Sequence, residues 1–322
     1  MKGVALAALF VLLCVSSPAD SIRLEGEPFH PSPNASVILN ASTNDWPPGL
    51  LIYKVMPQAV SLAVVSNAMT LGHFTMKDFS RSTHPVIKDK DLIYFYHQDG
   101  PNLKRHLYIA PALGAIEYTS ERDYTAPIED VPTAEEAEKL ARGVLFQLGV
   151  DSSLICNPKP GYDEVSTRYK YDKETHKMLL PGVKATVVRG IAFQRRIDGV
   201  VESGQWCFMI HFRSHGEIED YSLYWRNILP QESHPTVSPS EIIAMIKDGQ
   251  THLPPQFDDV SGVADAKTLT VTKITPRYFN GTGKEPLDLL KPYADLEVRA
   301  DLGTSTATFF LTCPILSTNA TF

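Results

Sequence analysis

Two hydrophobic periodicities divide the chain. The first recurs every three to four residues. Ala137, Leu140, Ala141, Val144, Leu145 and Leu148 fall on one face of a helix. Thr133 stands where its N-cap belongs, Glu136 three residues later completes a capping box, and Gly149 marks the stop. The same punctuation predicts two more helices. One covers residues 58–71, with Pro57 suited to the first turn and Gly72 ending it. The other has Ser238 as cap, Pro239 at the first position, Glu241 at the third and Gly249 as stop.

The second periodicity alternates. Strand-like runs rich in aromatic and β-branched residues occur at 50–55, 91–97, 105–110 and 115–120 after or around the first helix. Runs at 186–197, 205–213 and 218–225 follow the second helix, and runs at 269–278, 294–300 and 306–313 follow the third. Single helices alternating with sets of short strands predict an α+β fold of tandem modules, each a helix packed on a small antiparallel β-sheet. The expected boundaries are a signal peptide at 1–19, a flexible leader at 20–48, and modules at 49–130, 131–237 and 238–322. The leader is inferred from Pro, Ser and Asn without periodicity.

Two of the strand sets resemble each other. In one, LIYFY leads through Asp99-Gly100 to HLYIAPALGAIEYTSE; in the other, IAFQRRI leads through Asp198-Gly199 to WCFMIHFRSHGEIEDYSLYW. Asp-Gly after a strand is a strong turn signal, and in both sets a Gly precedes a second turn into an Ile-Glu strand. An internal duplication is the expectation. The run EEAEKLARGVLFQLGV, then IAFQRRIDGVVESG, then MIHFRSHGEIEDYSLYWRNI, then SPSEIIAMIKDG resembles the PepSY-like domains of secreted and cell-envelope proteins. The resemblance covers residues 133–249 best, the first unit faintly, and not the third, which ends on Cys313-Pro314-Ile315-Leu316. It implies non-enzymatic modules that bind or restrain other proteins, and it carries no catalytic residues.

The first residues read as an export signal. Lys2 precedes an apolar run from Val4 to Val15, and Ser17-Pro18-Ala19 supplies small residues for cleavage. That run is shorter than the roughly 20 residues a membrane helix needs. The expected location is therefore secreted, either extracellular or periplasmic, with no membrane span. The formal charge of −7 is dispersed, and loss of Lys2 makes the mature chain more acidic still. Such a balance argues against nucleic acid as a partner. Cys14 leaves with the peptide, so Cys156, Cys207 and Cys313 remain. Their odd number leaves at least one thiol unpaired, and the pairing of the others, if any, stays open. Asn34, Asn40, Asn280 and Asn319 open N-x-S/T sequons and are N-glycosylation acceptors if the source pathway glycosylates.

Candidate chemistry is sparse. Nucleophile elbows, H-E-x-x-H helices, P-loops, dinucleotide fingerprints and EF-hand loops are absent from the sequence. Residues 280–284 (NGTGK) have a phosphate-loop flavour, but Tyr278 stands where the first glycine is required. His211, His215, Glu217 and Glu219 could suit zinc only if a turn folds them together; a strand ending in a polar hairpin is the preferred reading. Arg195 and Arg196 beside Asp198 read as a salt-bridged strand end with one arginine facing solvent. Glu135, Glu136, Glu138 and Lys139 read as the polar face of a capped helix. Trp206, Tyr221, Tyr224 and Trp225 could line a sugar or peptide groove, with cross-strand core pairs preferred. No catalytic residue, metal ligand or cofactor is assigned. The expected function is a secreted, non-enzymatic binding or regulatory protein whose partner is another extracellular protein or peptide. The alternatives are an enzyme with a site assembled between modules and a carbohydrate or small-molecule binding module.

Overall fold

A computed structural model describes residues 27–56, 60–80, 91–99, 103–121, 129–156, 158–160, 163–172, 177–203, 206–254, 262–279 and 287–316. The expected signal peptide, Asn280 and Asn319 lie outside them. The chain is mostly β, with three sheets and three α-helices among the described residues. This overturns the expected α+β row of tandem modules, each a helix on its own small sheet. Strands of the first two expected modules merge into one large sheet, and the chain passes repeatedly between two cores.

The helices are α1 (Leu62–Leu71), α2 (Ala134–Gln147) and α3 (Pro239–Lys247). The early strands are β1 (Glu27–Phe29), β2 (Ser36–Leu39), β3 (Gly49–Met56), β4 (Phe79–Ser80), β5 (Ile93–Asp99), β6 (Leu103–Ala110) and β7 (Ala115–Ser120). Next come β8 (Lys159–Pro160), β9 (Glu164–Asp172), β10 (Lys177–Phe193), β11 (Arg196–Ile197), β12 (Val200–Ser203), β13 (Phe208–Phe212) and β14 (Ile218–Tyr224). The last are β15 (Asn227–Pro235), β16 (Thr251–Leu253), β17 (Thr268–Phe279), β18 (Leu289–Leu290), β19 (Pro292–Asp301) and β20 (Thr306–Pro314).

The largest sheet has nine strands in the order β4-β5-β6-β7-β14-β13-β10-β8, with β9 also on β10. Its centre is the antiparallel pair β7–β14, where Tyr118 faces Tyr221 and Ile116 faces Leu223. The two look-alike strand sets thus meet in one sheet, β5-β6-β7 on one side of that pair and β14-β13-β10 on the other. Helices α1 and α2 cover one face. Ala68, Ala137, Ala141, Val144 and Leu145 pack there with Phe95, Leu107, Ile109, Phe193, Phe208, Ile210, Tyr221 and Leu223. Each large side chain so buried contributes roughly 1.5–3 kcal/mol.

The second core lies between an eight-stranded sheet, β1-β16-β20-β19-β17-β12-β11 with β2 on β17, and the three-stranded sheet β15-β3-β18. Helix α3 adds Ile242 and Ile246 to it. Part of the stretch expected as a flexible leader is built into this body: β1 pairs with β16, and β2 runs parallel to β17 with Val37 opposite Leu269. Trp46 fixes the same stretch by donating from Nε1 to the carbonyl of Val237 at 2.9 Å. The Asp198-Gly199 turn joins β11 to β12 in this second body, with both residues at positive φ (48° and 80°), as a two-residue hairpin of type I′ requires. No helix among the described residues is long and apolar enough to cross a membrane.

Candidate recognition surface

The nine-stranded sheet has a second face that no α-helix covers among the described residues, although at one end Ala110, Leu113 and Ala115 form a small buried cluster with Leu92 and Tyr224. Alternation along each strand sends Phe95, Leu107, Tyr118, Tyr221 and Ile210 to the helices, so their neighbours Tyr94, Tyr96, His106, Tyr108, Glu117, Thr119, Asp220, Ser222 and His211 point the other way. Two rows cross the strands in register. Tyr94, Tyr108, Glu117, Ser222 and Met209 form one; Tyr96, His106, Thr119, Asp220 and His211 form the other. Most of these side chains are half-buried, and Thr119 is exposed.

The tyrosines are organised by stacking and hydrogen bonds. The rings of Tyr94 and Tyr108 stack with centroids 4.7 Å apart and planes 1° apart. His106 lies nearly parallel to both, with its Nδ1 3.0 Å from the Tyr94 hydroxyl and 3.3 Å from that of Tyr108. Tyr224 donates its hydroxyl to Glu117 Oε1. Burial raises the Tyr108 phenol above its ordinary range, helped by the hydrogen bond with Tyr94 and the charge of Glu117. Burial likewise raises Tyr224, and its bond to Glu117 adds to the effect. Both phenols stay neutral and serve as donors at any physiological pH. At the other end of the face, His211 Nδ1 lies 2.8 Å from Asp220 Oδ1, and that bond raises the imidazole's pKa against the opposing effect of burial.

On the helix-covered side, a groove of about 660 Å³ runs along α2. It is lined by Leu71, Leu140, Gly143, Val144, Phe212 and Ile218, with Asp130, Glu136, Lys139 and His215 at its rim. Gly143 opens it: a Cβ there would meet nothing within 4 Å. A groove of this size falls in the range of small-ligand sites, but its polar groups are exposed, with Glu136 committed to the α2 cap and Asp130 set beside His215.

The residues singled out from sequence disperse. His211 goes to Asp220, His215 lies 3.5 Å from the exposed Asp130, and Glu217 pairs with Arg213 at 3.1 Å. Among the described residues no group of three or more His, Cys, Asp or Glu is placed to hold a metal. Glu136 closes the α2 capping box, accepting from the Thr133 backbone at 2.9 Å, while Glu138 pairs with Arg142 at 2.8 Å. Tyr221 and Trp225 are core, and Tyr224 belongs to the open face. Asn34 and Asn40 are exposed. The three cysteines are free thiols. Cys156 and Cys207 bond the backbone end of β10 from opposite sides, at Gln194 and Phe193. Such positions are two strand spacings, about 9.5 Å, apart, beyond the roughly 7 Å that a disulfide spans. Cys313 lies in the other core, where burial pushes its thiol up to about 12.

One charged cluster is not apparent in the sequence. Arg195, Glu202 and Arg226 are all buried, at 5%, 5% and 2% exposure, where β10 leaves the first body and β12 joins the second. Arg195 lies 4.3 Å over the Trp225 ring and donates to the Arg226 carbonyl at 2.7 Å, while Arg226 donates to Leu113 O at 3.2 Å. Burial pushes the Glu202 carboxyl up to about 7 against the pull of both guanidinium groups, and its Oε2 has no hydrogen-bond partner. Arg196 is exposed, and Asp198 accepts from the Tyr53 hydroxyl rather than serving Arg195. The period-two alternation from Val200 to Glu202 is the signal that places this carboxylate inward.

No family model matches the chain, and no curated protein matches it. Among solved structures it is similar to an uncharacterized protein from Eubacterium rectale, at 11% identity and a TM-score of 0.42, over 86% of each chain.

Proposed function

We propose that the protein is a secreted, non-catalytic recognition protein that takes a peptide segment of an extracellular partner on the open face of its nine-stranded sheet, acting in the manner of PepSY-like modules that bind or restrain other proteins. One observation carries the reading. Tyr94, Tyr96, Tyr108 and Tyr224 share with His106, His211, Glu117 and Asp220 a broad sheet face that no α-helix covers among the described residues, with Tyr94, Tyr108 and His106 pre-stacked. Rigid aromatic rings with polar tips lose little entropy on binding and offer both apolar area and hydrogen bonds. The arrangement favours binding over catalysis because the titratable groups lie along an open face instead of converging in a cleft.

The experiment is capture of partners from the protein's own extracellular medium, comparing the mature chain with Tyr108→Ala. Tyr108 is half-buried on a solvent-facing side of the sheet, so the variant keeps both cores. The reading expects a retained protein that is lost on this substitution and kept on Leu140→Lys in the α2 groove. Turnover of a substrate by the purified chain, or capture indifferent to Tyr108, overturns it.

A further inference from the structure

We infer that the surface around Glu117 suits a guanidinium group, so that the partner's contact residue on the open face is an arginine. The inference rests on the recognition reading above and names what that face selects.

Glu117 stands in β7 directly opposite Tyr108 on one side and Ser222 on the other, with Tyr224 two residues further along the same strand as Ser222. Neighbouring strands are about 4.8 Å apart, so the carboxylate has an aromatic ring within reach on both flanks. Tyr224 occupies Oε1 as a donor. No cationic side chain pairs with Glu117 among the described residues. Lys104, further along β6, lies 3.6 Å from Glu121, and the imidazole of His211 is taken by Asp220. A half-buried carboxylate normally acquires a cation, because leaving it without one forfeits the Coulombic gain that offsets its desolvation. Here the carboxylate accepts from the Tyr224 phenol, and Tyr108 stands opposite it on the neighbouring strand.

Such a setting selects by chemistry. An aromatic face attracts a cation electrostatically, and the attraction grows as water is excluded. A planar guanidinium can lie against a tyrosine ring while its N–H groups reach the free Glu117 oxygen and the Ser222 hydroxyl opposite. An ammonium is a compact, strongly hydrated point charge that cannot stack. The charge of the face agrees. Among the described residues, Lys104 pairs with Glu121 and His211 with Asp220, while Glu117 has a phenol and no cation as its partner.

The test is an NMR titration of the mature protein with acetyl-Gly-Arg-Gly-amide, its lysine analogue and its citrulline analogue, which keeps the shape and removes the charge. Saturable shifts of the Tyr94, Tyr108 and Tyr224 ring resonances are expected with the arginine peptide. Binding should weaken at least tenfold with citrulline, with lysine, and in Glu117→Gln, and stay unchanged in Glu232→Gln, an exposed carboxylate in the separate three-stranded sheet. Far-UV circular dichroism checks that Glu117→Gln is folded. Should it unfold, the salt dependence of the native protein decides, since an ion pair on an open face weakens as ionic strength rises. Equal binding of citrulline or lysine, absence of saturable shifts, or affinity indifferent to salt and to Glu117 overturns the inference. Partner capture lost in Tyr108→Ala but intact in Glu117→Gln overturns the guanidinium assignment while leaving the recognition reading standing; capture insensitive to both removes the reading as well.

Discussion

At the scale of single residues, the decisive group for stability is Glu202. Its carboxyl sits at about 7 in the folded chain against an ordinary 4.5, because burial disfavours the charged form more than Arg195 and Arg226 favour it. The folded state therefore holds the proton more tightly than the unfolded state does. Its contribution is complete below about pH 4.5 and is lost as pH rises through about 7. Glu202→Gln should flatten this segment of the stability profile, read as the urea midpoint against pH. Asp78 has the opposite sign. Burial alone would raise its pKa, but hydrogen bonds from His97 and Thr75 hold it at about 2, so its contribution is present above its ordinary value and fades as pH falls through about 2. Removing a member of the buried cluster tests the same physics. Arg195→Met should destabilise the chain by about 3 kcal/mol at pH 8, because it leaves the buried Glu202 carboxylate with less compensating charge nearby. The loss should be smaller at pH 5, where Glu202 is protonated; equal losses at both values would show that the carboxylate does not ionise against Arg195.

At the scale of elements, α2 shows what local patterning settles. Thr133 and Glu136 cap each other, the apolar stripe faces the sheet, and Gly149 leaves the helix at a φ of 78°. Thr133→Ala should cost about 1 kcal/mol. Gly143→Ala should add up to about 1 kcal/mol of stability, because a mid-helix glycine loses more backbone entropy than alanine and the new methyl meets nothing. Thermal midpoints of the two variants check both signs. Helices α2 and α3 and strands such as β7, β17 and β19 were legible in the sequence because each signals itself through caps, periodicity or β-branched runs. Strand β15 was not. Its NILPQESHP has no alternation, carries Pro230, and pairs with β3 through an irregular register between Pro230 and Ser233. Proline is tolerated there because β15 lies at the edge of its sheet. Strands β1, β2 and β16 are too short to show a period at all. The tyrosines of the open face were visible as aromatic strand residues, but which of them escape the core depends on which face the helices cover, and that is a tertiary fact.

At the scale of the molecule, the duplication expected from the two look-alike strand sets and the architecture diverge because of connectivity. A repeated unit of one helix and three strands would fold alone only if its sheet closed on itself. Instead β7 of one set pairs along its length with β14 of the other, burying Tyr118 against Tyr221 with ring centroids 5.5 Å apart. The chain then leaves the first body at Arg195, forms β11 and β12 in the second, returns for β13 and β14, and leaves again through Arg226. Each body is thus made of non-contiguous segments, and the buried arginines mark the crossings. A fragment of residues 131–237 would carry α2 and β14 but lack the β5-β6-β7 half of its sheet, and its β11–β12 hairpin would lose β17, to which β12 pairs in parallel. Two apolar surfaces and a bare central strand would face water. The fragment should therefore fail to give a dispersed amide NMR spectrum, whereas the full chain should unfold in urea with the two cores losing structure together, followed by amide exchange at Leu145 and Ile210 in the first core and at Val271 and Leu296 in the second. Separate transitions would mean that the crossings at Arg195 and Arg226 tether two independent bodies and do not weld them. In that case the Glu202 pH effect would appear in the coupling between the transitions and not in the stability of either core.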